Sequence, residues 1–120
     1  MQNVAILGAS PKKGRYSNQA QKLLVEHGHK VFPISLKNGE IEGVPSYQNI
    51  GDIEVAIDTL TVYVRPEHLE NYMKAIISAH PGRVILNPGT ESEPLKAELE
   101  SHNIEVIEAC TLVMLRTGQF

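Results

Sequence analysis

The sequence lacks the features that mark disulfide-stabilised, membrane-spanning and nucleic-acid-binding proteins. Its one cysteine, Cys110, excludes an internal disulfide framework and a cysteine-based metal cluster. No apolar run approaches the roughly 20 residues that cross a bilayer, and the N-terminus shows no basic-then-apolar leader pattern. There is no tryptophan, and four tyrosines with two phenylalanines are too few for a platform that stacks bases.

Charge and size narrow the class further. The net charge of -3 argues against general binding to nucleic acid or to a membrane surface. A chain of 120 residues is large enough for one hydrophobic core, so we expect a single domain over 1–120. We expect this domain to be cytoplasmic, with a small molecule as its ligand and with oligomer formation left open.

Five apolar runs alternate with helical patterns along the chain. Helices are expected to begin near Ser17, after Pro66 and near Ser92, and each would serve as a crossover between parallel strands. Asn38-Gly39 predicts a turn, and 110–120 predicts a short closing helix or strand. The pattern indicates an α/β, Rossmann-like three-layer domain with a five-stranded parallel sheet in the order 3-2-1-4-5. The predicted strands cover 4–7, 30–34, 57–64, 83–86 and 104–107.

The loop after the first strand carries the strongest functional signal. Gly8 ends an apolar strand abruptly, and a short polar loop leads into a helix near Ser17. This order presents backbone N–H groups and a helix N-terminus to a phosphate. Lys12, Lys13 and Arg15 add local positive charge to an otherwise acidic chain, which predicts an anion site. The loop is not the dinucleotide fingerprint, because positions 8, 10 and 13 hold glycine, serine and lysine.

The end of the second strand points to the kind of nucleotide. Folds that bind NAD usually place an acidic residue there to hold the ribose hydroxyls. Here Pro33, Ser35 and Lys37 occupy the segment, and the first acidic residue after the second strand is Glu40. A lysine beside the ribose suits a nucleotide with an additional ribose phosphate. NADP and coenzyme A both qualify.

The same residues resemble the small stand-alone CoA-binding protein family, whose fold is that of the CoA-binding domain in the succinyl-CoA synthetase α subunit. The resemblance implies a domain that binds coenzyme A, with the first loop on the phosphates and the ends of strands 2 and 3 around the adenosine. One departure is Ile34-Ser35-Leu36, where the family usually has Val-Asn-Pro. The matching stretches are 4–10, 15–18, 31–34, 41–43 with Tyr47, 57–58, 62–67, 87–90 with Glu93, and Cys110.

Ligands of such sheets bind beyond the carboxyl ends of the strands, here at the switch between strands 1 and 4. Several candidates have simpler interpretations: Ser17 as a helix cap, Lys37 as a surface cation, Tyr63 and Pro66 as packing residues. Cys110, after strand 5, is either an inert thiol or one able to form a mixed disulfide with CoA. The predicted cofactor-binding residues are Gly8, Ala9, Ser10, Lys12, Arg15, Ser17, Pro33, Ser35, Lys37, Tyr63, Val64, Pro66 and Cys110.

Catalysis has little support in the sequence. No serine, histidine and acid converge on one strand end, and there is no G-x-S-x-G elbow or P-loop lysine. The expected function is binding of coenzyme A or an acyl-CoA without a reaction. Two alternatives stay open: an NADP-dependent oxidoreductase module, and a Rossmann-like interaction module without a ligand.

Overall fold

The computed structural model describes residues 1–37 and 39–120, so Asn38 of the expected turn lies outside the described residues. The strands are β1 (Asn3–Leu7), β2 (Lys30–Ile34), β3 (Glu40–Ile41), β4 (Val44–Pro45), β5 (Thr59–Val62), β6 (Arg83–Leu86) and β7 (Glu105–Glu108). The helices are α1 (Tyr16–Glu26), α2 (Pro66–Leu69), α3 (Met73–Ala79), α4 (Glu93–Ser101) and α5 (Thr111–Arg116). Single 3-10 turns form at Ile50–Asp52 and Glu70–Tyr72.

Alternating side chains of β1 divide the core into two layers around the sheet. Val4 and Ile6 pack on the face covered by α1 and α5, where they meet Leu24 and Leu115. Ala5 and Leu7 point to the opposite face, whose apolar cluster includes side chains of α2, α3 and α4. These four β1 side chains are all buried, as a parallel sheet covered on both faces requires. The expected α/β, Rossmann-like domain with a five-stranded parallel sheet is confirmed.

The third sheet strand lies at a different place from the one expected. The sheet runs β2-β1-β5-β6-β7, which is the order 2-1-3-4-5 when only its five strands are counted. The neighbours 2-1 and 4-5 agree with the expected order, but the third strand lies between β1 and β6 instead of beyond β2. The switch point is therefore between β1 and β5, and the residues that follow β5 stand beside the first loop.

Helix ends show how the sequence sets the local structure. α4 begins with Ser92, whose Oγ accepts a hydrogen bond from the Leu95 N–H, as an N-cap serine should. Ser17 is not a cap, because α1 begins at Tyr16 and its N-cap residue is Arg15. The closing segment is the helix α5. Within the described residues, no helix is long and apolar enough to cross a membrane.

Candidate functional site

A cleft with two compartments opens at the carboxyl edge of the sheet. The first compartment has a volume of about 260 Å³ and the second about 270 Å³. They share Tyr16, Tyr63 and Pro88, so the two compartments adjoin. The first is also lined by Gly8, Ser10, Arg15, Ser17, Arg65, Gly89 and Thr90. The second is also lined by Asn87, Cys110, Leu112 and Arg116.

Gly8 forms the floor of the first compartment. Its φ of +89° lies in the left-handed region that side chains rarely adopt. Its backbone also approaches β5 closely: a Cβ atom there would lie 3.2 Å from the carbonyl carbon of Tyr63. Both features require glycine, and they bring bare backbone to the wall of the cleft.

The N-terminus of α1 faces this compartment without a side-chain cap. Its N-cap residue, Arg15, makes no capping hydrogen bond, and the first turn contains no acidic residue. The first N–H groups of a helix have no partner within the helix, and together they attract an anion. α4 offers the contrast within the same chain, since Ser92 caps it and Glu93 lies in its first turn. The open end of α1 is therefore suited to a negatively charged ligand.

Two guanidinium groups and two lysines surround this helix end. Arg15 and Arg65 line the first compartment. Lys12 is exposed outside it, and Lys13 forms an ion pair with Glu42 at 3.3 Å. Arginine can hold a phosphate with two parallel hydrogen bonds. The positive charge of the compartment itself thus comes from the two arginines.

Asn87 fixes the segment that closes the cleft on the β6 side. Its buried Nδ2 donates to Thr61 Oγ1 at 2.7 Å and to the Val62 carbonyl at 2.9 Å. Its Oδ1 accepts from the Thr111 N–H at 2.9 Å, and its carbonyl accepts from Thr90 Oγ1 at 2.8 Å. The Asn87 side chain therefore connects β5 to α5, and the Asn87 backbone carbonyl holds the loop 88–90 against the cleft.

Tyr63 and Cys110 belong to the second compartment. Burial raises the pKa of Tyr63 to about 12, an effect only partly offset by the nearby hydroxyls of Thr61 and Thr111. Cys110 is half-buried and is the N-cap residue of α5. The tyrosine is neutral at physiological pH, and the thiol stands at the wall of the cavity.

The structure brings together six of the thirteen predicted site residues. Gly8, Ser10, Arg15, Ser17, Tyr63 and Cys110 line the cleft. The other seven lie outside its lining: Ala9 is buried beneath the loop, Pro33 is buried within β2, Lys12 and Lys37 are exposed, and Ser35, Val64 and Pro66 are half-buried.

Eight residues that line the cleft were not among the predicted cofactor-binding residues, although six of them lie in the stretches that resemble the family. Seven of the eight follow the rule used for the other candidates, since they lie just beyond the carboxyl end of a strand or at the start of the next helix, whereas Arg116 is the last residue of α5. Arg65 and the loop after β6 carry this signal most clearly. The eight are Tyr16, Arg65, Asn87, Pro88, Gly89, Thr90, Leu112 and Arg116.

Comparisons with known proteins agree on the family and the fold. The model of the family described as "CoA binding domain" matches residues 2–116. The ADP-forming acetate–CoA ligase of Methanocaldococcus jannaschii is 32% identical over 96% of this chain, which spans 18% of that protein. The chain thus covers less than a fifth of this curated relative.

Solved structures match the whole fold. The crystal structure of an uncharacterized protein superposes with a TM-score of 0.94 at 41% identity, covering 100% of this chain and 98% of that one. A protein from Thermus thermophilus described as cell-free ID.343 has a TM-score of 0.90 at 25% identity, covering 99% and 90%.

Proposed function

Because this chain belongs to the CoA binding domain family, we propose that its two-compartment cleft binds coenzyme A or an acyl-CoA. The pyrophosphate would lie in the first compartment, against the backbone of Gly8 and the N-terminus of α1. Arg15 and Arg65 would neutralise its charge. The ligand that the family implies, a nucleotide with several phosphates, matches an uncapped helix end with two arginines.

The observation that carries the proposal is the contrast between α1 and α4. Both helices start at the carboxyl edge, but only α4 has a serine cap and an acidic first turn. α1 leaves its first N–H groups to an outside partner and has Arg15 at the N-cap position. An anion at this position would be stabilised by the free N–H groups, the helix dipole and the guanidinium together.

We also propose positions for the adenosine and the pantetheine arm of coenzyme A. The adenosine would lie toward the end of β2, with Lys37 as the partner of the ribose 3′-phosphate. The pantetheine arm would enter the second compartment, whose lining combines Leu112 and Pro88 with Cys110. That compartment adjoins the first through Tyr16 and Tyr63, so the arm would not need to leave the cleft.

We assign binding, without catalysis, to this chain. Its curated relative is named as an ADP-forming acetate–CoA ligase, but the chain spans 18% of that protein. Among the described residues, none of those that line the cleft is an aspartate, a glutamate or a histidine. General acid–base catalysis most often uses such groups. Tyr63 and Cys110 line the cleft and belong to residue types that can also transfer protons, but we assign no proton transfer to them.

Calorimetric titration of the purified protein with CoA and with NADP tests the proposal. CoA should bind and NADP should bind at least tenfold more weakly, because only CoA has an arm for the second compartment. Arg15→Ala and Arg65→Ala should each weaken CoA binding by about tenfold or more. Lys22→Ala is the matched control, since it removes one positive charge from an exposed position of α1 outside the cleft.

Three results would contradict the proposal. Tighter binding of NADP would favour the oxidoreductase module. No heat with either nucleotide would favour a domain without a ligand. Equal losses in Arg15→Ala and Lys22→Ala would show that only the net charge of the protein matters and that the site lies elsewhere.

A further inference from the structure

A short hairpin outside the main sheet, with two residues in each strand, reaches the loop that forms the first compartment. β3 and β4 pair antiparallel between β2 and β5 in the chain, with Glu42 and Gly43 at their turn. Ile41 is completely buried in the apolar cluster under α1. The Nε2 of Gln21 in α1 donates to the Ile41 carbonyl at 2.9 Å. The hairpin is thus fastened to the helix whose N-terminus faces the cleft.

The turn carries an unusual residue for its geometry. φ is +51° at Glu42 and +77° at Gly43. Positive φ at both central residues is characteristic of a type I′ turn, where asparagine followed by glycine is preferred. A glutamate in the left-handed region is strained relative to asparagine. The turn geometry alone therefore does not explain why a glutamate occupies this position.

The carboxylate of Glu42 is held by two groups from the loop and helix of the cleft. Asn18 Nδ2 donates to Glu42 Oε2 at 3.0 Å, and Lys13 Nζ lies 3.3 Å from the same oxygen. Lys13 is 75% exposed, so its ion pair contributes little. Asn18 is completely buried, and a hydrogen bond from a buried amide to a carboxylate is among the stronger kinds.

The Asn18 side chain links Glu42 to a residue of the cleft. The same Nδ2 donates to the Ser10 carbonyl at 2.9 Å, and Ser10 lines the first compartment. The buried Oδ1 of Asn18 has no hydrogen-bond partner among the described residues. A rotated amide would place this oxygen against the Ser10 carbonyl and the carboxylate, which both accept hydrogen bonds. Glu42 therefore helps to keep the Asn18 amide in the orientation that holds Ser10.

We propose that Glu42 is a positioning residue for the ligand cleft: acting through Asn18 it fixes the backbone of Ser10, and so the shape of the loop between β1 and α1. This positioning role of Glu42 rests on the proposed function only in that the ligand is taken to be coenzyme A. The order of the loop is a property of the ligand-free protein and can be measured without it.

Three variants separate positioning from hairpin stability. Glu42→Asn suits the turn better but is too short to reach Asn18. It should keep or raise the melting temperature while weakening CoA binding by about fivefold or more. Glu42→Gln retains an oxygen at the same reach and should restore the affinity to within about threefold of wild type. Glu40→Gln, at an exposed position of the same hairpin, is the control for charge and should change neither quantity.

Hydrogen exchange of the ligand-free protein gives the second readout. The backbone amides of Ala9, Ser10, Lys12 and Lys13 should exchange faster in Glu42→Asn and at the wild-type rate in Glu42→Gln. A hairpin with only a structural role would show no loss of affinity in a stable Glu42→Asn protein. Wild-type exchange and affinity in Glu42→Asn, or equal losses in both variants, would overturn the proposal. If wild-type protein does not bind CoA, the proposed function fails, and the exchange rates alone decide the role of Glu42.

Discussion

Gly8 and Val64 approach each other so closely that a Cβ atom on Gly8 would lie 3.0 Å from Val64 Cγ1. Gly8→Ala should therefore weaken CoA binding and also destabilise the fold, because the new methyl group meets Val64 and φ at Gly8 is +89°. The cost expected for such a strained residue is about 1–3 kcal/mol.

Gly14→Ala is the matched control in the same loop, since a Cβ atom there meets nothing within 4 Å. Chemical denaturation and CoA titration of both variants measure the two effects. A Gly8→Ala protein as stable as Gly14→Ala would contradict the close approach of the two segments.

Lys37 is expected to distinguish coenzyme A from 3′-dephospho-CoA. A charge-assisted contact to the 3′-phosphate contributes about 1.5–3 kcal/mol, or at least about tenfold in affinity. The preference for CoA should fall toward unity in Lys37→Ala, while Lys22→Ala keeps it. Lys37 is exposed and outside the cleft lining, so an unchanged preference in Lys37→Ala would assign the 3′-phosphate to another cation.

Ionisation of Tyr63 should lower the free energy of unfolding at alkaline pH. Burial raises its pKa in the folded state to about 12, above its ordinary value of 10. The unfolded chain therefore loses this proton first. The contribution of the neutral phenol is complete below pH 10 and disappears as the pH rises through about 12.

Absorbance titration of tyrosinate measures this pKa directly. The wild-type curve should contain one tyrosine with a midpoint near 12 that is missing from Tyr63→Phe. The free energy of unfolding of Tyr63→Phe should fall less steeply above pH 10 than that of the wild type. A midpoint near 10 for every tyrosine would show that the phenol is not buried.

Cys110 should be protected by coenzyme A. The thiol lines the second compartment, where the pantetheine arm is placed, so saturating CoA should slow its alkylation. Oxidised CoA should form a mixed disulfide with Cys110 faster than with an unfolded control, by exchange that releases one CoA thiol. Mass spectrometry follows both reactions at this single cysteine. Equal alkylation rates with and without CoA would place the thiol outside the site.

The alternation of strands and helices was readable from the sequence because each element carries its own local signal. The apolar run of β1 and the proline that starts α2 predict the beginnings of their elements correctly. The one helix expected after Pro66 is instead divided into α2, a 3-10 turn and α3. The place of β5 could not be read in this way. It depends on how the connection from β2 returns past β1. The side chains of its buried Thr59 and Thr61 form hydrogen bonds with Gln2 and Thr111, which are far away along the chain.

The candidate site was predictable to the extent that it lies at strand ends. Gly8 and Arg15 are beside the cleft because they follow β1, whatever the order of the other strands. Arg65 and Thr90 reach it because β5 and β6 lie next to each other beyond β1, which only the strand order decides. The Asn18 contact with Glu42 joins two segments whose meeting no local pattern indicates.

The strand order also divides the strands of the main sheet into two stretches that meet at a single pairing. β1 and β2 pair within the first stretch, and β5, β6 and β7 pair in succession within the second. Only the pairing of β1 with β5 joins them in the main sheet, and the cleft opens at the end of this seam. A ligand that touches both Gly8 and Thr90 would contact both stretches and hold them together. Its affinity would then appear as resistance to the separation of the two stretches, which are joined by the sheet pairing with the largest separation along the chain.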